Sequence, residues 1–292
     1  MSKKEITTTQ TGTISLGNEI SVHRLGYGAM RLTGPGIWGP PKDRKAALAV
    51  LRRAVELGVN FIDTADSYGP HVSEELIAEA LHPYPPDLVI ATKGGWERPG
   101  PNQWTHNATP AHLREAVEGS LKRLRLERID VYQLHIPDPV VPFDASVETL
   151  AELRREGKIG MVALSNVTQE HIERARRIVP IVSVQNRYSF ADREWDYVVD
   201  YCERNGIAFI PWFPLGGGRV AGEVLHQVAK THHASPTQVA LAWLLRRSSV
   251  MLPIPGTSSI EHLEQNVAAA SLRLSEEEYL KLAGVPELVA SR

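Results

Sequence analysis

Eight times along this chain, a short apolar run bounded by Gly, Asp or Asn precedes a stretch whose apolar residues recur at helical spacing. The runs occupy 24–30, 60–65, 88–93, 129–135, 159–165, 181–185, 208–213 and 249–254. The helical stretches lie at 43–58, 73–81, 109–126, 146–156, 168–178, 193–205, around 224 with 237–246, and 259–270. Short strands that are apolar on both faces belong to a parallel sheet covered on both sides. Eight such units predict an α/β fold, a (β/α)8 TIM barrel. The alternative is an open doubly wound sheet, which usually carries G-x-G-x-x-G after its first strand. Here Gly26-Tyr27-Gly28-Ala29-Met30-Arg31 lacks the third glycine. Alternating apolar residues around Gly17-Asn18-Glu19 predict a β-hairpin over 11–25, ahead of the barrel. Ser275, with Glu278 three residues on, caps a final helix at 276–283. No linker-like segment divides residues 1–292, which read as a single domain.

Composition removes several functions. The formal net charge of −2 leaves no basic surplus to replace phosphate counterions, so nucleic acid is not an expected partner. No apolar run is long enough to span a bilayer, and no apolar core follows the N-terminal lysines as in a secretory signal. The single Cys202 cannot form an internal disulfide, and a cytoplasmic location is expected. His232 and His233 read as exposed, with no further ligand spacing, so no metal is expected.

The chemistry gathers in FIDTADSYG, residues 61–69, and at the strand ends that follow. In such barrels functional side chains sit at the C-terminal ends of strands. The second strand places Asp63 there, with Tyr68 on the loop behind it; the third ends in Lys93 and the fourth in His135. A carboxylate in an apolar strand needs a cation, and Lys93 on the next strand supplies one. An ammonium beside Tyr68 is expected to lower the tyrosine pKa and make the phenol a better proton donor. His135 would share the cradling of one substrate oxygen, an arrangement that suits a carbonyl becoming an alkoxide. Each residue also has a plainer reading: a structural ion pair, a packed tyrosine, a core histidine.

The segments FIDTADSYG, VIATKGG, IDVYQLHIPD, GMVALSNV, VQNRYS, PWFPLGG and LPIPGTSSIEHLEQN extend from residue 61 to 266. In content, order and spacing they resemble the aldo-keto reductase superfamily. RLGYGAMRLTGPGIWGPP, YGPHV and PWFPLGGG resemble a bacterial branch of it that includes pyridoxal reductase. The resemblance implies a nicotinamide cofactor bound without a Rossmann domain, and reduction of a small-molecule aldehyde or ketone. It implies that Tyr68 is the general acid, Lys93 its modulator, Asp63 the partner of Lys93, and His135 the orienter of the carbonyl. It places Ser165, Asn166 and Gln185 at the nicotinamide amide and Trp212 against the nicotinamide ring. Leu215, Gly216, Gly217 and Gly218 fall at the pyrophosphate; Gly256, Thr257, Ser258, Ser259 and His262 near the adenosine phosphate; Gln265 and Asn266 at the adenine.

Many relatives carry a lysine where Gly256 stands and an arginine where His262 stands. Those cations select the 2′-phosphate of NADPH, and this chain offers there only the hydroxyls of Thr257, Ser258 and Ser259, helix-start amides and His262; NADPH is the cofactor the resemblance implies, with NADH possible. Trp38, Trp96, Trp104, Pro137 and Pro139 are expected to line an open, permissive substrate pocket, with aromatic aldehydes such as pyridoxal as candidate substrates. The same superfamily contains NADP(H)-binding auxiliary subunits with slow chemistry, which is the alternative reading.

Overall fold

Seven of the eight apolar runs form one curled parallel sheet in the computed structural model, which describes residues 6–17, 20–216 and 222–284. In chain order the strands are β1 (Thr13–Leu16), β2 (Ile20–His23), β3 (Tyr27–Gly28), β4 (Phe61–Asp63), β5 (Val89–Gly94), β6 (Trp96–Glu97), β7 (Thr105–His106), β8 (Ile129–Leu134), β9 (Ile159–Ser165), β10 (Ile181–Arg187) and β11 (Ala208–Trp212). The helices are α1 (Arg44–Glu56), α2 (Val72–Leu81), α3 (Pro110–Leu124), α4 (Phe143–Arg155), α5 (Gln169–Arg176), α6 (Asp196–Asn205), α7 (Glu223–Thr231), α8 (Pro236–Arg247), α9 (Ile260–Ala268) and α10 (Glu276–Ala283). The sheet order is β11-β10-β9-β8-β5-β4-β3, every neighbour pair parallel. The predicted (β/α)8 barrel is the fold found.

The eighth run departs from expectation. Residues 249–254 form no regular strand; Met251 makes a single parallel bridge to Phe209. Pro253 and Pro255 have no N–H to donate, so the ladder cannot lengthen. The segment still closes the ring. Leu252 N donates to Phe209 O at 2.9 Å on one side, and Gly26 N to Pro253 O at 2.9 Å on the other.

β1 and β2 form the predicted antiparallel hairpin, although Asn18 and Glu19 of its turn lie outside the described residues. Leu16 and Val22 are fully buried in the cluster that holds Met161 and Val182, near the starts of β9 and β10. The hairpin thus covers the N-terminal end of the barrel and leaves the opposite end open.

Helix starts follow local chemistry. Asp43 accepts from Ala46 N, and Thr109 caps α3 with Pro110 at its first position. Capping boxes begin α8 at Ser235 and α10 at Ser275. α4 begins at Phe143, three residues before the expected 146, and buries that ring. Among the described residues, no helix is long and apolar enough to cross a membrane.

Candidate active site

Lys93, next to last in β5, has no exposed surface, and each of its three ammonium hydrogens has an acceptor. Nζ donates to Asp63 Oδ1 at 2.6 Å, to Thr64 O at 2.8 Å and to Tyr68 Oη at 3.3 Å. Because Lys93 donates to the phenol oxygen, the hydroxyl hydrogen of Tyr68 remains for another acceptor. Asp63 is held on its other oxygen by two amides, Gln133 Nε2 at 2.7 Å and Gln185 Nε2 at 2.8 Å. Gln133 did not stand out in the sequence because it lies inside the apolar run 129–135 rather than at its end. Its register opposite Lys93 carries it into the barrel.

The electrostatics correct one expectation. Burial raises the Tyr68 pKa above the ordinary tyrosine value; the Lys93 charge pulls it down but does not overcome burial. Lys93 therefore limits the rise rather than producing a net fall. Burial works against the charged lysine too, but Asp63 and then Tyr68 outweigh it and lift the Lys93 pKa. Burial, then Lys93 and Arg98, hold His135 well below the usual histidine range, so its ring is neutral at neutral pH. His135 stands edge-on to Tyr68 with ring centroids 5.8 Å apart, and its Nδ1 lies 3.4 Å from Ser67 Oγ. A hydrogen donated by Ser67 to Nδ1 puts the ring proton on Nε2. Nε2 is then the donor for the open side.

Tyr68, Asp63 and His135 line a cleft of about 1470 Å³ across the open end of the barrel. Ser165, Asn166, Gln185, Trp212, Leu215, Gly256, Thr257, Ser258, His262, Gln265 and Asn266 also line it. Ser259 serves locally instead, as the cap of α9, accepting from His262 N. Gly216 follows Leu215 without lining the cleft, and Gly217 and Gly218 lie outside the described residues.

The Trp212 indole is fixed by Nε1 donating to Asn166 Oδ1 at 3.0 Å. Asn166 Nδ2 in turn donates to His135 O at 3.0 Å and to Ser165 Oγ at 3.1 Å. Asn166 adopts φ 58°, a left-handed conformation that asparagine tolerates better than most residues.

At the far end, main chain fills the place of a side chain at 256. A Cβ built on Gly256 would lie 2.5 Å from Gly28 O and 3.6 Å from Arg31 Cγ. A lysine at 256 would need β3 to move. Arg31, which sequence reading passed over, lies beside that position, lines the cleft and makes no hydrogen bond or ion pair among the described residues. Tyr27 Oη ties β3 to this loop through Thr257 O at 2.6 Å.

The substrate wall is narrower than expected. Trp96 and Trp104 line the cleft, centroids 5.7 Å apart and nearly perpendicular, with Ile37, Asn102 and Ile136. Trp38, Pro137 and Pro139 are not part of the lining; the Trp38 ring sits instead near the Arg98 guanidinium.

Behind Tyr68 lies a buried polar cluster that the sequence did not announce. Glu74 is fully buried, receives Arg123 Nε at 2.6 Å and accepts from Thr92 Oγ1 at 2.6 Å. Asp66 Oδ1 and Tyr132 Oη are buried with no partner among the described residues. Burial, then Glu74, push the Asp66 carboxyl up to about 8, against the opposing pull of Arg123. His232, expected to be exposed, is half-buried and bonded to Glu278 at 2.9 Å.

The family model for the aldo/keto reductases matches residues 24–286. This chain belongs to the aldo/keto reductase family. The aldo/keto reductase is 50% identical over 275 residues to the oxidoreductase C215.11c of Schizosaccharomyces pombe, covering 94% of this chain and 89% of that protein. It is 47% identical to the pyridoxine 4-dehydrogenase of Escherichia coli, covering 94% and 98%. Among solved structures it resembles an aldo-keto reductase from Klebsiella pneumoniae in complex with NADPH. That likeness has a TM-score of 0.80 at 27% identity, over 96% of this chain and 97% of the other. The family and the oxidoreductase relatives make this chain an NAD(P)H-dependent oxidoreductase.

Proposed function

We propose that this aldo/keto reductase reduces flat aromatic aldehydes of the pyridoxal type with NADPH, using Tyr68 as the proton donor. The observation that carries the reading is the Lys93 ammonium bonded at once to Asp63 and to the Tyr68 oxygen, at the edge of an open cleft. The name of the E. coli relative and the Trp96 and Trp104 rings in the cleft wall support the substrate class.

The residues of the cleft fit a dinucleotide. Ser165, Asn166 and Gln185 would hold the carboxamide, and Trp212 offers a rigid indole face to the ring. Close packing of Gly28 against Gly256 leaves main-chain surface where a side chain would obstruct an extended ligand. Thr257, Ser258, His262, the start of α9 and Arg31 would meet the phosphates. When bound, reduced nicotinamide supplies the hydride that the carbonyl carbon accepts.

The protein supplies the rest. Tyr68 Oη and His135 Nε2 donate to the carbonyl oxygen and polarise it. As charge develops there, Tyr68 gives up its proton, and Lys93 stabilises the phenolate left behind. Asp63, fixed by Gln133 and Gln185, keeps Lys93 charged and in place. His135 stays neutral, so it donates without adding a second cation beside Lys93. The lone, buried Cys202 fits a cytoplasmic location, and residues 1–292 act as one domain in this reading.

The test is an assay of purified protein with NADPH and a panel of aldehydes that includes pyridoxal and benzaldehyde. Aldehyde-dependent loss of the reduced-nicotinamide absorbance, fastest for aromatic members, is expected. Binding of NADPH with no turnover of any aldehyde would favour an auxiliary, cofactor-sensing role instead.

A further inference from the structure

Arg98 is a buried cation that the chemistry above does not use. It follows β6 and is only 8% exposed. Its guanidinium donates to four main-chain carbonyls: Nε to Gln103 O at 2.8 Å, Nη1 to Ser67 O at 2.9 Å and Ile37 O at 3.0 Å, and Nη2 to Gly36 O at 2.9 Å. Three separate loops meet on this one side chain: 33–41, the turn that carries Ser67 and Tyr68, and the β6–β7 hairpin. Its carbon Cζ lies 3.7 Å from the Trp104 ring centroid, a stacked cation–π contact on an indole that lines the cleft.

The carbonyls take four of the five guanidinium hydrogens but carry no net charge. Among the described residues no carboxylate pairs with Arg98. Glu97 turns to Asn107 and His112, and Asp138 is taken up by the Ala108, Val140 and Val141 amides. Lys93 is balanced by Asp63, and His135 is neutral. No carboxylate among the described residues therefore balances the Arg98 charge, which lies against the Trp104 indole at the substrate end of the cleft.

We propose that Arg98 is the specificity-determining residue of this site. It holds the Trp104 wall and the Tyr68 turn in register, and its charge selects flat aromatic aldehydes that carry an anionic substituent, a carboxylate or a phenolate. This rests on the reductase reading above and adds to it the sign of the substrate's charge. Arg98 does not itself line the cleft, so it touches no reacting atom: it positions the wall and the turn by its contacts and biases the choice of substrate by its charge.

The experiment measures kcat/KM with NADPH for para-carboxybenzaldehyde and its neutral methyl ester. It uses the unchanged protein, Arg98→Lys and Arg98→Gln, with NADPH binding followed by fluorescence to confirm that each variant is folded. The acid-to-ester ratio should fall about tenfold in Arg98→Gln, the scale of one charge acting across several ångströms of protein. Arg98→Lys should keep the ratio while KM rises for both compounds, because an ammonium keeps the charge but loses the planar stack and the forked donors. A ratio unchanged in Arg98→Gln, or lost equally in Arg98→Lys, overturns the proposal. A comparison without variants covers the case in which Arg98→Gln does not fold. The unchanged protein should prefer para-carboxybenzaldehyde to its para-trimethylammonium counterpart, although the latter is intrinsically the more reactive carbonyl; equal rates or the reverse order overturn the proposal. If the unchanged protein reduces no aldehyde at all, the reductase reading fails, and this proposal fails with it.

Discussion

A side chain and the space left by a missing one define the cofactor end of the cleft. Gly256 has main-chain oxygen where a Cβ would go, and Arg31 reaches the same place from the segment after β3. A guanidinium with no protein partner suits a phosphate better than the hydroxyl that NADH presents there. Arg31→Ala is therefore expected to raise KM for NADPH about tenfold, the loss of roughly one charge-assisted hydrogen bond, and to leave KM for NADH nearly unchanged. Steady-state titration of both cofactors checks this, and an equal effect on both would remove Arg31 from cofactor selection. His262 reaches the same cleft and was the only candidate cation the sequence offered. Arg31 could not be found that way, because it stands more than two hundred residues from the loop it serves. The same holds for Gln133 and Arg98, whose meaning lies in the acceptors they meet. Asp63, Tyr68, Lys93 and His135 were legible because a polar group at the end of an apolar strand is anomalous in itself.

At the scale of elements, the turn between β4 and α2 carries Tyr68 on one side and Asp66 on the other. Asp66 is buried with an unpartnered oxygen, beside the Glu74–Arg123 pair that links α2 to α3. Its carboxyl is raised from the ordinary 3.8 to about 8. Between those values the folded chain holds a proton that the unfolded chain has lost, so stability falls as pH rises across that window and levels off above it. Asp66→Asn, which resembles the neutral acid, removes the dependence. The variant should gain thermal stability relative to the unchanged protein on going from about pH 5 to about pH 8, by at least about 1 kcal/mol, or roughly 2–4 °C in Tm. A Tm difference that stays constant with pH would show that Asp66 is ionised in the fold. Element positions were largely legible, since periodicity and caps located every strand-helix unit. The eighth strand was not: apolar content predicted a ladder, but Pro253 and Pro255 withhold the donors, leaving a single bridge at Met251.

For the whole molecule, the barrel separates stability from chemistry. The hairpin seals one end with Leu16 and Val22, while the strand ends of the other assemble four polar groups from three separate segments. Removing one partner of the buried Lys93–Asp63 pair would leave an uncompensated charge, at a cost of about 3–5 kcal/mol, so those positions mix folding with function. Tyr68 does not: its ring can be kept and only the hydroxyl deleted. Tyr68→Phe, assayed for NADPH-dependent reduction of pyridoxal alongside direct NADPH binding, is the most telling measurement. Turnover should fall by about a hundredfold or more, the usual reach of a placed general acid, with NADPH affinity unchanged. Turnover near that of the unchanged protein would mean that another group protonates the carbonyl oxygen and that the Lys93–Tyr68 contact is structural.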